Sequence, residues 1–292
     1  MSKIGIVILN YNDYETTNSF VNKIINYKVI DKILVVDNKS SDDSYKKLQR
    51  LKNDHIDVVC SDKNKGYAYG NNYGVKYLEK KYKDIDYIII SNPDIIVDEK
   101  DIEKLKKDLD ENQNISVVAP VIHEYNKIIR GWKEPTYLQE LCLNMNYFHK
   151  FATKSMQYKD DYYTGTLTRV EVVHGCFFMI RLKDFKKVDY FDEGTFLYYE
   201  ENILARKLKN NNMLTYVDLD TNIIHNYSVS VSKSINNIKR YKILKDSQKY
   251  YEVKYNKINF LKLAILRLFY YISLGVSYII YLFGHKWLKR EK

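Results

Sequence analysis

Residues 86–97 read DYIIISNPDIIV, in which four apolar residues (Tyr87 to Ile90) run into Ser91-Asn92-Pro93-Asp94 and apolar residues resume at once. A short unbroken apolar run closed by turn residues predicts a strand buried on both faces, the kind found in parallel sheets. Pro93 has no N–H to give to a ladder, so the strand stops there and Asp94 is set just past its C-terminal end. In open α/β sheets that edge is where ligands bind. A lone acid at such a place also serves simply to begin a turn.

The pattern recurs. Apolar runs at 3–9, 32–36 and 56–60 give way to Asn10-Tyr11-Asn12-Asp13, to Asp37-Asn38-Lys39-Ser40-Ser41-Asp42 and to Lys63-Asn64-Lys65-Gly66. Between the first two, Phe20, Val21, Ile24 and Ile25 fall at helical spacing over 15–25. After the second, Ser41 or Asp42 is placed to cap a helix running through Leu48 and Leu51. Strands alternating with helices of this length predict right-handed βαβ units and a parallel sheet, with all four polar turns along one edge. A nucleotide site on that edge follows. Gly66, Gly70 and Gly74 share one helix face, which suits either a phosphate at the helix N-terminus or close packing on the sheet.

From 121 to 168 the pattern loosens into turns, with Trp132, Pro135, a predicted helix over 137–148 and the tyrosines 158, 162 and 163. These aromatics suit an acceptor-facing wall as well as ordinary core and rim. Strand character returns over 170–180 around His174-Gly175. Then Phe196-Leu197-Tyr198-Tyr199 leads into Glu200-Glu201, with Ile203, Leu204 and Leu208 continuing a helical face. The two acids sit at a helix N-terminus, where the dipole favours their charged form, and an acidic first turn is also a common structural device. Ile223-Ile224-His225 ends a further strand, followed by Ser228, Ser230 and Ser232. His225 reads either as a structural residue or as a ligand.

Taken together these pieces resemble a family 2 glycosyltransferase of the rhamnosyltransferase-like branch. They are VILNYN at 7–12, VVDNKSSDDS at 35–44, NKGYAYGNNYG at 64–74, SNPD at 91–94, HGCFFMIR at 174–181, FDEGTFLYYEEN at 191–202 and the His225 turn. The resemblance covers about 3–232 and implies the GT-A fold: a Rossmann-like α/β domain with a mostly parallel sheet flanked by helices. It further implies that Asn10, Asn12 and Asp37 hold the base and ribose of a nucleotide-sugar donor, with Lys65 and Gly66 near the donor sugar or diphosphate. Asn92-Pro93-Asp94 takes the place of a DxD motif. Asp94 would ligate a divalent cation, Mg²⁺ or Mn²⁺, with His225 completing the metal or diphosphate contacts. The first acid of that motif is Asn92 here. An inverting transfer needs one carboxylate to take the acceptor's proton, and the family's Glu-Asp pair falls on Glu200-Glu201. Glu201 is the expected base, with Glu200 its rival.

The net charge of +10 becomes informative once located. Residues 233–292 carry 14 Lys/Arg against Asp246, Glu252 and Glu291, whereas the first 232 residues hold 33 bases and 34 acids. A glycosyltransferase domain at 1–232 and a basic helical tail at 233–292 are therefore expected. The uninterrupted apolar part of the tail, 268–283, is 16 residues, short of the roughly 20 a spanning helix needs. Its ending, HKWLKREK, is basic, so spanning would export positive charge. Both points favour a helix lying in the cytoplasmic face of the cell membrane, with a single pass or a buried hairpin as the alternatives. A surface-bound enzyme suits a lipid-linked glycan acceptor. Cys60, Cys142 and Cys176 are odd in number and far apart, so no disulfide framework is indicated, and the N-terminus shows no signal-peptide pattern.

Three other functions compete. A polyprenyl-phosphate sugar transferase shares the fold, but its customary further membrane segments are missing. A nucleic-acid binder is suggested by the basic, Tyr-rich tail and opposed by a neutral main domain and few arginines, 8 of 47 bases. A dinucleotide dehydrogenase needs glycines that the first turn lacks.

Overall fold

The computed structural model describes residues 2–125, 127–145, 148–226 and 237–288. The four expected strands form as β1 (Ile4–Asn10), β2 (Lys32–Asp37), β3 (Ile56–Cys60) and β4 (Tyr87–Ser91), parallel and in the order β3-β2-β1-β4. The crossovers are α1 (Tyr14–Ile24), α2 (Ser44–Leu48, continued as a 3-10 turn) and α3 (Tyr67–Lys81). The cap of α2 differs from expectation. Asp43 is its N-cap residue, and Asp42 instead accepts a bond from the Ser44 N–H (2.9 Å).

After β4 come β5 (Ile95–Ile96), α4 (Glu99–Glu111), β6 (Ile115–Glu124) and β7 (Lys127–Ile129). Next are α5 (Tyr137–Cys142), α6 (His149–Met156), β8 (Leu167–Val170) and β9 (Phe177–Arg181). The chain closes with α7 (Leu182–Lys187), α8 (Glu200–Asn210), β10 (Leu214–His225), α9 (Asn237–Lys254) and α10 (Phe260–Leu288). The ten strands form one sheet in the order β3-β2-β1-β4-β9-β6-β10-β5, with β7 on β6 and β8 on β10. β9 lies antiparallel between β4 and β6, so the sheet is parallel at its first four strands and mixed beyond them.

Two sequence expectations are corrected here. The predicted helix over 137–148 stops at Cys142, where the Asn144 side chain donates to the Glu140 carbonyl. The predicted strand over 170–180 is two strands. β8 pairs with β10 while β9 pairs with β4, so the chain must cross between them, and His174-Gly175 lies in the crossing.

Alternation along each strand builds a core on both faces. Ile4, Ile6 and Ile8 pack with Phe20, Val21 and Ile24 on one side, while Val7, Leu34 and Val36 meet Val75 and Leu78 on the other. Each such side chain contributes about 1.5–3 kcal/mol on full burial. Arg181, itself buried, ties β9 to the end of α4 and the start of β6 through the carbonyls of Ile115 (2.7 Å) and Asn112 (3.0 Å).

The expected boundary at 232 and the serines 228, 230 and 232 lie outside the described residues. Beyond them α9 is seated on the main body. Tyr251 is buried and donates to Glu134 (2.6 Å), and Gln248 donates to the buried Glu140 (2.6 Å). Among the described residues no helix is long and apolar enough to cross a membrane.

Candidate active site

The parallel register aligns the strand ends, with Asn10 opposite Asp37 and Ile8 opposite Ser91. The first two turns are bound to each other. Asn10 and Asp37 are both fully buried, and the Asn10 amide donates to Asp37 Oδ2 (2.8 Å) while its carbonyl accepts from Thr17 (2.8 Å). Asp37 also accepts from the Ser40 hydroxyl (2.7 Å) and the Ser40 N–H (2.9 Å). Asn12, in a left-handed conformation (φ 52°), accepts from the Ser41 N–H (2.8 Å). The residues expected to hold base and ribose thus brace two adjoining turns.

Lys65 and Gly66 lie at the start of α3. Gly66 has φ 103°, and a side chain there would run into the Phe196 carbonyl, 1.9 Å from the position of a Cβ. The same carbonyl accepts the Tyr67 N–H (2.9 Å), and Asn64 Oδ1 accepts the Gly66 N–H (3.0 Å). Those two donors are spent on the protein. Gly70 and Gly74 face Leu9 and Val7, so close packing accounts for the glycine spacing. Lys65 lies over the Tyr69 ring (5.2 Å).

Past β4, Asn92 is half-buried and its N–H donates to the Cys176 carbonyl (2.8 Å). Pro93 ends the strand as expected, and β5 then pairs with the end of β10, setting Ile95 against His225. This brings Asp94 and His225 together: Nε2 of the imidazole is 3.3 Å from Asp94 Oδ1, and its Nδ1 is 3.4 Å from Glu124 Oε2. His174 joins them, its ring centre 5.6 Å from that of His225. One ligand atom from each of Glu124, His174 and His225 lies within 4.8 Å of the others. Burial and the neighbouring His225 push His174 down to about 4, so its imidazole is neutral and able to bind a metal. Burial opposes the His225 cation, but Asp94 and Glu124 outweigh it and raise its pKa. Asp94 Oδ1 is buried and has only the His225 imidazole facing it, without hydrogen-bond geometry. Two imidazoles and two carboxylates fit a divalent cation.

Sequence reasoning missed Glu124 as a ligand and passed over His174 as part of a strand. The signal available was a histidine beside a glycine at the entry to a buried run. Nothing in the sequence marks Glu124, whose role depends on which strand lies beside β6.

Glu200 and Glu201 open α8, as expected. They follow Tyr198 and Tyr199, both left-handed (φ 74° and 71°), a costly conformation for bulky residues that the surroundings must hold in place. The Tyr199 hydroxyl donates to the buried Glu140, and its ring packs on Tyr251 of α9. Glu201 Oε1 accepts the Gly175 N–H (3.2 Å), and a Cβ on Gly175 would lie 2.8 Å from that oxygen. The glycine lets the carboxylate come in beside His174. Glu200 is buried, with Oε1 lacking a partner. The helix N-terminus does favour the charged acids, as expected, but burial outweighs it. Burial raises both carboxyls, and the charge of Glu201 raises Glu200 further. The Cys176 carbonyl takes the Asn92 N–H and the adjacent Gly175 N–H goes to Glu201, so the SNPD turn and the α8 turn meet at 175–176.

The hexosyltransferase Agl10 of low-salt glycan biosynthesis in Haloferax volcanii is 25% identical over 234 residues, 80% of this chain and 70% of that protein. The rhamnosyltransferase WbbL of Escherichia coli K12 is 28% identical over 147 residues, and the match spans about half of each protein, 49% of this chain and 54% of WbbL. Among solved structures, GalNAc-T7 with UDP, GalNAc and Mn²⁺ superposes with a TM-score of 0.62 at 13% identity, over 93% of this chain and 55% of that one. The mannosyltransferase PcManGT of Pyrobaculum calidifontis, with GDP-Man and Mn²⁺, gives 0.57 at 13% identity over 95% and 73%. These likenesses establish the GT-A fold. The model of glycosyl transferase family 2 matches residues 5–189, well over half of the sequence, and the chain therefore belongs to that family of glycosyltransferases.

Proposed function

We propose that the protein transfers a hexose-type sugar, with inversion, from a nucleoside-diphosphate donor to a hydroxyl of a lipid-linked glycan in surface polysaccharide synthesis. The observation that carries this reading is the placing of Glu201 against Gly175, next to the Asp94, Glu124, His174 and His225 cluster at the ligand-binding edge of the sheet. Glu201 takes the acceptor's proton as the acceptor oxygen bonds to the anomeric carbon, and the bond from that carbon to the diphosphate oxygen breaks with its electron pair. Glu201 suits this role better than Glu200 because it is partly open, whereas Glu200 is buried. A burial-raised pKa makes it a stronger base than an ordinary carboxylate. A divalent cation held by the four-residue cluster would neutralise charge gathering on the leaving diphosphate, and the two imidazoles favour Mn²⁺ over Mg²⁺.

Asn10, Asn12 and Asp37 shape the nucleotide end of the cleft, and Asn92, Lys65 and Gly66 its diphosphate end. Residues 1–232 form the catalytic unit, and 233–292 hold it to the inner face of the membrane, where the acceptor is presented. A thermal-shift panel of nucleoside diphosphates and nucleotide sugars, with and without Mn²⁺ or Mg²⁺, tests the donor reading. A rise in melting temperature with one nucleotide sugar that depends on the cation is expected. Indifference to every member of the panel would overturn it.

A further inference from the structure

Lys245 of α9 is only 7% exposed; its ammonium still touches solvent, and among the described residues it has neither a hydrogen bond nor a carboxylate within ion-pair distance. It lies over the Tyr241 ring (5.3 Å). Glu140 tempers it from a distance, but that carboxylate accepts from Tyr199 and from Gln248. A cation this largely withdrawn from water is normally paired.

What Lys245 faces is a cleft of about 390 Å³ between α9 and α10, which it lines together with Lys249, Arg267, Asp246, Leu266 and Tyr270. Three cations against one carboxylate leave two positive charges there. A phosphomonoester or diphosphate matches that balance, and arginine and lysine donors suit its oxygens. The outer face of α10 is of opposite character. Leu261 (67% exposed), Leu268 (58%), Ile272 (52%) and Ile279 (53%) recur at helical spacing and form an apolar stripe open to its surroundings. A helix with such a stripe, bordered by bases and too short in apolar length to span, lies in a lipid interface.

We infer that the α9–α10 cleft binds the phosphate headgroup of a membrane lipid while the apolar stripe of α10 rests among the acyl chains. The ligand is one molecule with an anionic head and a hydrocarbon tail, which is what a basic cleft beside an apolar stripe can satisfy at once. This deepens the proposed work at a lipid surface and rests on it.

The test is vesicle co-sedimentation of the full-length chain, using phosphatidylcholine vesicles with and without phosphatidic acid, at low and at raised salt. The variants are Lys245→Met and, as a control on the same helix, the exposed Lys242→Met. Removing a buried unpaired charge leaves the fold intact or stabilises it, so the melting temperature of Lys245→Met serves as the folding check.

The wild type is expected to bind only the vesicles containing phosphatidic acid. Lys245→Met weakens that binding by about tenfold or more at both salt concentrations. Lys242→Met costs at most about fivefold at low salt, and less at raised salt where exposed charges are screened. Equal losses for the two variants would overturn the cleft while leaving membrane binding standing. A wild type that ignores all vesicles would overturn both. Stabilisation by inorganic phosphate alone, without vesicle binding, would show a free-anion site and overturn the lipid assignment.

Discussion

The two halves of the ligand-binding edge treat their buried polar groups in opposite ways. Around the turns after β1 and β2, Asn10, Asp37, Thr17 and Ser40 satisfy one another. Around β4, α8 and β10, Glu200 Oε1 is buried without a hydrogen-bond partner and Asp94 Oδ1 has only the His225 imidazole, 3.3 Å away, facing it. Native interiors leave few such atoms, because each costs about 1–3 kcal/mol when unsatisfied. The first half is therefore a brace that holds its shape alone. The second leaves capacity that the proposed donor and cation would use.

The largest effect expected from this contrast is on turnover. Glu201→Gln should lower transfer by roughly 10²- to 10⁴-fold while keeping donor binding, and Glu200→Gln by clearly less. If Glu200→Gln proves the more damaging, the base is the buried acid. Because burial raises Glu201, the rate should fall with acidification at a pH above the ordinary glutamate value of about 4.3, since a protonated base takes no proton. A pH–rate profile of the wild type checks this.

Next in size is cation binding. Glu124→Gln or His174→Ala should weaken Mn²⁺ binding by at least about tenfold in calorimetry, whereas Asn10→Ala should leave it unchanged. A loss of Mn²⁺ affinity in Asn10→Ala would break the separation between the two halves.

Stability should show the converse. Asn10→Ala or Asp37→Ala should destabilise by about 1–3 kcal/mol in denaturant unfolding, because each strands buried partners. Asp37→Ala should weaken nucleotide binding as well; full stability in that variant would show that the second turn does not brace the fold.

The smallest effect concerns Lys245, the third place where charge is left unpaired. Burial lowers it to about 8, below its unfolded value, so the folded state loses its proton first as pH rises. Unfolding free energy should then climb by about 1 kcal/mol per pH unit above roughly pH 8, until the unfolded lysine titrates near about 10.4. Lys245→Met should remove that slope.

Most of the fold was legible because its signals are local. Runs such as 87–90 announce a strand in a few residues, and the Asn/Asp turns announce where each strand stops. Failures came where contacts are distant. The stretch 170–180 looks continuous, but its two ends pair with different strands. The dipole at α8 is a local effect of under about 1 kcal/mol, and burial, a property of the whole packing, overrides it.

The sequence by itself determined the first four strands and the helices between them, the turns on one edge, and the acids Asp94, Glu200 and Glu201 as the groups to watch. Only the tertiary structure decided that Glu124 and His174 stand with His225, that Gly175 admits Glu201, and that Lys245, 7% exposed, lines the cleft between α9 and α10. The reason is physical. Period and turn chemistry act within a few residues of the chain, whereas burial and charge pairing depend on neighbours that folding brings from as far as 50 to 130 residues away, as Glu124 and His225 are.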